Sequence, residues 1–522
     1  MNDRLTIHRP AVLVLLLAVV SALVLATTRA EAAEAPAVPQ PRTGLVVQDA
    51  ALRGAPREAA PVQAQMARGE ALEVRGERGD HWQVWDYRRE RGGWLRKGQL
   101  MLLPRGEGAS AELLAQLRLA RQQWGTEGLA IGIASAYVQA APPAELAGSG
   151  GAEVLDTLGA MAERIAERAS LPAGAGGKPA DTLQPAQMDV AARYGLRFVS
   201  IEAEDGRVQV CYDGEVDRRL LPMPAASPEQ HLHAAMALTR PECAPARATP
   251  REQQAHDAWR AEVLGQVNPA LLPPHLKNRW LLRHAGVSAS LAYAQARSII
   301  GNNTGNNSGD NKASERAAAA LADLALVSAA DLTEDDLAAY NDTAMRVNAS
   351  RWLAGPALAA PAPAWGGLSL STSPGADGQT CVQLRDARAE VLVARCSFGL
   401  VASASASLNR EGRALALAVQ PLDGWRELWV FVQGAEGWRV EVLPPAPASP
   451  GLGVAEFAGW VPGGQQMLVA RESRAEGRYR RTFEVVSLTT LQPERQSAEP
   501  TGLGAFQRWA DTGWRSASPA TR

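Results

Sequence analysis

Residues 81–95 read HWQVWDYRRERGGWL, and this stretch decides the fold of the N-terminal part of the chain. Its two strand-length segments, 82–87 and 94–95, are separated by a charged turn that ends in glycine. Working outward, similar short segments alternate with Gly-, Pro- and Arg-rich turns. They predict strands at 45–47, 52–53, 71–74, 82–87 and 94–95. The stretch 44–104 is therefore expected to form a small all-β module.

Four short motifs occur in this module in a defined order. They are Leu52-Arg53-Gly54-Ala55-Pro56, Gly69 followed by Leu72 and Val74, Trp82-Gln83-Val84, and Gly93-Trp94-Leu95. In this order and spacing the motifs resemble the bacterial SH3-like domain, often called SH3b. The resemblance implies a small β-barrel over 44–104 that binds peptide or peptidoglycan. The charged turn 86–92 is longer than is usual in that family, and it changes the rim where a ligand would sit.

Candidate ligand-binding residues follow from the strand at 82–87. Alternation along a strand puts Trp82 and Val84 on one face and Trp85 and Tyr87 on the other. The resemblance makes the first pair core residues, which leaves the second pair as aromatic contacts for a ligand. Trp94 is a third aromatic candidate, and Arg88, Arg89 and Arg91 are candidate partners for carboxylates. The alternative is that Trp85 packs against the helical region that follows.

The N-terminus predicts export. Arg4 and Arg9 form a basic segment, 11–26 is a continuous uncharged apolar run, and small residues at 30–32 or 33–35 fit a cleavage site. We expect a signal peptide over 1–35 and a periplasmic mature protein without a membrane span. An uncleaved N-terminal membrane anchor is the alternative.

The four cysteines predict disulfide bonds, as expected for an exported protein. Of three possible connectivities, we expect Cys211 with Cys243 and Cys381 with Cys396, because each pair lies within one predicted structural unit. Neither pair has the CxxC spacing of a zinc ribbon or a thioredoxin-like site. A nucleophilic thiol at Cys211 is the functional alternative.

Composition and periodicity predict a multi-domain α+β protein. The chain has 522 residues, is 46% hydrophobic and 21% charged, and carries a formal net charge of −2, which gives no reason to expect a nucleic acid partner. Helical spacing of apolar residues predicts a mainly helical domain over 109–354 with a β-hairpin at 196–212, and the polar run 301–311 predicts a loop.

Short strands predict an antiparallel β region over 365–492, followed by a tail at 493–522. Within it, Phe457, Trp460, Pro462 and Gly464, followed by a strand at 483–488, resemble one blade of the TolB-type β-propeller repeat. Two or three such blades do not close a propeller. We therefore expect an antiparallel sheet stack, which can include propeller-like blades, rather than a closed propeller.

The chain contains no recognised catalytic, phosphate-binding or dinucleotide-binding motif, and the sequence predicts no catalytic residue, metal or cofactor. His231 and His233 are two apart on a predicted helix and point to different faces, so they do not form a shared metal site. The first hypothesis is a non-enzymatic envelope protein that binds peptide or peptidoglycan, with the rest as scaffold or docking surface. The alternatives are a cell-wall hydrolase with an unrecognised site and an assembly protein that acts through the C-terminal β region.

Overall fold

The computed structural model describes residues 41–171, 184–202, 206–244, 249–302, 307–355, 364–447, 451–475 and 477–517. The predicted signal peptide at 1–35 lies outside these residues. The chain divides into two compact units, 1–105 and 106–522, and each is described by itself. Helices and strands both contribute extensively, which confirms the multi-domain α+β class.

The first unit is a seven-stranded antiparallel sheet. Its strands are β1 (Arg42–Val46), β2 (Ala50–Arg53), β3 (Val62–Met66), β4 (Ala71–Arg78), β5 (His81–Asp86), β6 (Arg91–Arg96) and β7 (Leu100–Leu102). They pair in the order β3-β2-β6-β5-β4-β1-β7. Leu52, Leu72, Val84 and Leu95 project from four strands into one core, and alternation leaves their neighbours on the outer face.

The second unit begins with helices and a hairpin. The helices are α1 (Ala109–Arg121), α2 (Glu127–Ala140), α3 (Pro143–Leu146), α4 (Ser149–Ser170), α5 (Gln184–Arg193), α6 (Glu215–Leu220), α7 (Pro228–Leu238), α8 (Pro250–Leu264), α9 (Pro274–Asn302), α10 (Asn307–Leu326) and α11 (Glu334–Ser350). Strands β8 (Phe198–Glu202) and β9 (Val208–Tyr212) form the hairpin. Ser227 and Thr249 start α7 and α8, each through a capping box with proline at the next position.

The polar run 301–311 departs from its sequence-based prediction. Residues 301–302 end α9 and residues 307–311 begin α10, so the expected loop was wrong at these positions, and residues 303–306 lie outside the described residues. Alanines from both helices, including Ala292, Ala296, Ala313 and Ala317, pack together just beyond the run. Their packing extends the helices into a sequence of low intrinsic helix propensity, because tertiary burial outweighs propensity.

The β region of the second unit consists of two sheets. The four-stranded sheet contains β10 (Ala364–Trp365), β11 (Leu368–Pro374), β12 (Thr380–Arg385) and β13 (Val391–Ser397). The eight-stranded sheet contains β14 (Leu400–Leu408), β15 (Ala414–Leu422), β16 (Trp425–Gly434), β17 (Gly437–Leu443), β18 (Leu452–Val461), β19 (Gln466–Ala475), β20 (Arg478–Ser487) and β21 (Pro493–Ser497). Among the residues that the structure describes, all strand pairings in both sheets are antiparallel except one. At the start of β16, Trp425 and Arg426 pair in parallel with Gly453 and Val454 of β18, which corrects the expectation of a wholly antiparallel region.

The segment assigned to a tail from the sequence contains ordered elements. Strand β21 pairs with β20, and two short helices follow, α12 (Gly504–Trp509) and α13 (Thr512–Ala517). Phe506 and Trp514 pack edge-on against Phe483, and all three rings are buried. Burial of three aromatic side chains fixes this segment on the sheet.

Both predicted disulfides are present. Cys211 of β9 is bonded to Cys243 in a short 3₁₀ helix, with a Cα–Cα distance of 5.9 Å, so the hairpin is linked to the chain after α7. Cys381 and Cys396 are directly paired across β12 and β13 and join neighbouring strands. The predicted local connectivity is therefore confirmed.

Candidate functional site

The outer face of the first unit brings the predicted aromatic residues close together. Trp85 pairs with Gly92, and Gln83 pairs with Trp94, in the register of β5 with β6. Paired residues share a face of a sheet, so Trp85 and Trp94 lie on the same face at diagonal positions, within reach of one ligand. Val84, between Gln83 and Trp85 in sequence, is 1% exposed on the core side.

The Trp85 ring is held by its neighbours in the sheet. A Cβ at Gly92 would lie 3.1 Å from the Trp85 ring, so the absence of a side chain there lets the indole pack onto the strand. The guanidinium carbon of Arg75, from β4, lies 4.4 Å from the indole centroid in a cation–π contact. The indole is thus sandwiched between its own sheet and Arg75, and only part of it is accessible.

Tyr87 completes this aromatic group. Its side chain is 68% exposed, and its hydroxyl donates a hydrogen bond to Glu73 Oε2. Arg75 also donates to Glu73, at 2.9 Å, and its guanidinium lies 5.9 Å from the tyrosine ring. The hydrogen bonds from Tyr87 and then Arg75 lower the pKa of the Glu73 carboxyl. Together Glu73, Arg75, Trp85 and Tyr87 form a surface that we call the Trp85 face.

Trp94 lines a separate small depression on the same side of the sheet. This depression has a volume of about 140 Å³. It is lined by Ala51, Arg53, Glu58, His81, Trp94, Arg96 and Gln99. Arg53 donates to the Ala60 carbonyl at 2.8 Å and Arg96 pairs with Glu58, so the depression contains cations whose positions are fixed. Trp94 can therefore contribute an aromatic contact to a ligand that extends from the Trp85 face.

The arginines of the charged turn have different positions. Arg89 forms ion pairs with Glu70 at 2.8 Å and with Asp86 at 2.6 Å, both of which are buried carboxylates, so it fixes the turn to the sheet. Arg91 donates to the Gln63 carbonyl at 2.7 Å. Arg88 is exposed. Arg89 therefore has a structural role. Arg75, which is not among the residues predicted from the sequence, is the arginine that contacts the Trp85 and Tyr87 rings.

A second candidate region is a cavity of about 810 Å³ in the second unit, between α8, α9 and α11. Three of its arginines pair with acids: Arg260 with Asp257, Arg279 with Asp336, and Arg346 with Asp423. Arg283 differs, because it donates to the Thr239 carbonyl and, among the described residues, makes no ion pair. Burial, and then the nearby charge of Arg260, lower the pKa of Arg283 to about 10.

The Thr239 carbonyl explains why two arginines meet in this cavity. Thr239 follows α7, where carbonyl groups lack helical partners. It accepts from Arg260 Nε at 3.1 Å and Nη2 at 2.9 Å, and also from Arg283. Cations at a helix C-terminus are stabilised by the helix dipole. Hydrogen bonding to the C-terminal end of α7 therefore explains why the Arg260 and Arg283 guanidinium groups lie close together.

A buried carboxylate cluster lies elsewhere in the second unit, between α4, α6 and α7. Asp156 accepts from His233 Nδ1 at 2.9 Å and pairs with Arg121 at 2.6 Å. Burial opposes ionisation of Asp156, but these hydrogen bonds and charges lower its pKa. Burial, and then the negative charge of Asp156, raise the pKa of Asp217 to about 7. The pKa values of these two neighbouring acids are thus shifted in opposite directions. Both acids are outside the cavities described here.

The two histidines of α7 bind separate partners. His231 Nε2 lies 3.0 Å from the Met223 carbonyl, whereas His233 contacts Asp156. Within the described ranges, no group of three or more His, Cys, Asp or Glu side chains is arranged to hold a metal ion. Each of the two histidines therefore has its own contact partner, and these partners differ.

Comparisons with protein-family models, curated proteins and solved structures find no match to this chain. Across the residues that the structure covers, every helix is too short or too polar to cross a membrane. Any functional assignment therefore depends on the geometry of the sites themselves.

Proposed function

We propose that this chain is a non-enzymatic protein of the bacterial cell envelope whose first unit binds peptide or peptidoglycan. The binding surface is the Trp85 face, extended by Trp94. The proposal includes an SH3-like barrel for 44–104, propeller-like blades in the C-terminal β region, and export to the periplasm. The second unit then serves as scaffold or docking surface.

The observation that carries this proposal is the exposed Tyr87 ring beside the Arg75–Trp85 stack. Tyrosine, tryptophan and arginine are the residues that most often dominate binding energies at protein interfaces. The tyrosine and tryptophan rings offer rigid apolar area. Arg75 uses its Nε–H group on Glu73, and because a guanidinium carries five N–H donors, the others can bind a peptide carboxylate. The two disulfides support the envelope address, because such bonds persist in oxidising compartments.

Sedimentation with purified peptidoglycan tests the proposal. We expect Tyr87→Ala to reduce the bound fraction and to weaken binding about 10-fold, the usual effect of losing an aromatic hot spot. Tyr87→Phe keeps the ring and removes only the hydroxyl bonded to Glu73, so it should retain most of the binding. Trp124→Ala, which removes a 73% exposed tryptophan from the second unit, is the matched control.

Equal binding by the wild type, Tyr87→Ala and Trp124→Ala would contradict the proposal. Trp85→Ala is a second test, and its folding has to be checked by circular dichroism because the indole covers Gly92. Loss of binding by a folded Trp85→Ala variant would support the same face.

A cell-wall hydrolase is the second candidate function, and the raised pKa of Asp217 beside Asp156 favours it. A neutral acid next to an ionised one is the pattern of general acid catalysis. However, Asp217 is only 3% exposed and is outside the described cavities, so a substrate cannot reach it without movement of the helices. Zymography on cell walls tests this candidate function. Clearing by the wild type but not by Asp217→Asn would show a hydrolase activity that depends on Asp217.

A further inference from the structure

A second cavity of the second unit has the size and lining of a small-molecule site. It has a volume of about 410 Å³ and lies where the end of α11 meets β14, β16 and β18. Its apolar wall consists of Leu321, Trp352, Leu428, Phe457 and Trp514, together with alanines. Ligand pockets typically have volumes of roughly 300–1,000 Å³, with mainly apolar linings and a few fixed polar groups. We call this the Trp352 cavity.

Two arginines in its wall share one carboxylate. Glu456 Oε1 lies 3.1 Å from Arg351 Nη2 and also pairs with Arg426 Nη2. The three side chains are 9%, 2% and 1% exposed for Arg351, Arg426 and Glu456 respectively. The other carboxylate oxygen of Glu456 accepts from Trp514 Nε1 at 3.1 Å. This group therefore has two buried positive charges and one negative charge.

The two arginines also have unused donors. Arg351 Nε and Nη1 and Arg426 Nε are buried and find no acceptor among the described residues. Arg426 otherwise donates to the Asn348 carbonyl and side chain. Burial lowers the pKa of Arg426 to about 10 although Glu456 is adjacent. Buried N–H groups without acceptors are costly, and buried charges in proteins are normally paired.

Nearby acids do not supply the missing charge. Glu472 is fully buried, and its pKa is raised to about 7 by burial, with a further contribution from Glu456. It accepts from the Tyr479 hydroxyl and, within the described residues, pairs with neither arginine. Asp511, at the exposed side of the cavity, accepts from the Gly513 N–H at 2.6 Å. Among the described residues, the excess positive charge of the arginine pair is therefore not neutralised by a contact.

We propose that the Trp352 cavity binds a small organic carboxylate with an apolar body. The body packs against Trp352, Phe457 and Trp514, and the carboxylate accepts hydrogen bonds from Arg351. Arg351 Nε and Nη1 are covered in this structure, and the guanidinium lies 4.8 Å from the Trp352 ring centroid. Hydrogen bonding of these donors to the ligand therefore requires the guanidinium to rotate away from that ring. The carboxylate then supplies the second negative charge that two arginines require.

Competition between matched ligands tests this proposal on the full oxidised chain. The neutral fluorescent probe N-phenyl-1-naphthylamine reports occupancy without using Arg351, and octanoate or octanamide displaces it. These competitors have the same apolar chain and differ in charge. We expect octanoate to compete roughly 10-fold or more better than octanamide, as a charge-assisted hydrogen bond to a buried arginine would give.

Variants of Arg351 locate the effect. Arg351→Met keeps the aliphatic bulk and should abolish the preference for octanoate while leaving displacement by octanamide unchanged. Arg351→Lys keeps the charge and should retain part of the preference, which separates loss of charge from loss of folding. Arg118→Met is the control. It removes an exposed arginine of α1 that pairs with Glu153 and is distant in sequence from the residues of the Trp352 cavity, so it should behave as the wild type.

Two results would overturn the proposal. One is equal displacement by octanoate and octanamide from the wild type. The other is an octanoate preference that survives in folded Arg351→Met, which would place anion binding elsewhere, for example at Arg283.

Discussion

Replacing Asp217 by asparagine should make the second unit more stable at alkaline pH and leave it nearly unchanged at acidic pH. Asp217 is 3% exposed in the first turn of α6, and a Cβ built on Gly159 would lie only 2.6 Å from its Oδ1, so two helices meet closely at this carboxyl. Its Oδ2 atom is buried and accepts no hydrogen bond from the described residues. Asparagine has the same shape and lacks the charge that burial disfavours.

The magnitude follows from the pKa of Asp217, which is raised from 3.8 to about 7 in the folded state. A group whose folded-state pKa is raised stabilises the fold fully below its unfolded pKa, and that stabilisation is lost as the pH rises through the folded-state pKa. A shift of about three units corresponds to a loss of up to about 4 kcal/mol between pH 4 and pH 8. Asparagine does not titrate, so Asp217→Asn avoids this loss.

Urea unfolding at pH 4.5 and pH 8, followed by far-ultraviolet circular dichroism, measures the effect. We expect Asp217→Asn to exceed the wild type by up to about 4 kcal/mol in free energy of unfolding at pH 8, with a much smaller difference at pH 4.5. Asp213→Asn is the control, because Asp213 pairs with Arg197 at 3.0 Å and its replacement removes an attraction. A change in stability that is the same at both pH values would refute the raised folded-state pKa of Asp217.

Two further predictions concern the β region and the disulfides. Glu472→Gln should raise the free energy of unfolding above that of the wild type by up to about 3 kcal/mol at pH 8, with a much smaller difference at pH 4.5. The reason is that burial raises the pKa of Glu472 from 4.5 to about 7. The same urea series measures this, and no gain at pH 8 would contradict it. Replacing Cys211 and Cys243 by serine should lower the free energy of unfolding by about 4 kcal/mol on the loop-entropy estimate. The Cys381–Cys396 bond closes a shorter loop, so replacing both of its cysteines by serine should cost about 3 kcal/mol. The reverse order in denaturation midpoints would count against loop entropy as the cause.

The sequence predicted the face of β5 but not the partners on that face. Alternation alone separates Val84, in the core, from Trp85, on the outer face. The contact of Trp85 with Arg75 depends on the register between β4 and β5, which shifts at a bulge between Val74 and Gly76. A bulge changes which residue of one strand lies opposite the other, and nothing in the local sequence specifies it. Arg75 was missed for this reason.

The Trp352 cavity could not be assembled from the sequence because its charged residues come from separate elements. Arg351 follows α11, Arg426 is in β16 and Glu456 is in β18. A weaker signal was nevertheless present. Arg426 interrupts the mainly apolar run 425–432 of β16, and Glu456 interrupts the apolar start of β18. A charged residue in such a strand is rarely buried without a partner, so each predicts a buried ion pair of unknown composition.

The parallel pairing of β16 with β18 brings these two charges together. Arg426 lies opposite Val454 in that pairing, and Glu456 is two residues further along β18, on the same face as Val454. Because the strands run in the same direction here, the Arg426 side chain lies diagonally opposite the Glu456 carboxylate and donates a hydrogen bond to it. Arg426 also donates to the carbonyl of Asn348 at the end of α11. An antiparallel hairpin between β16 and β18 would pair different residues and separate Arg426 from Glu456. This parallel pairing therefore creates the charged wall on which the proposed carboxylate site depends.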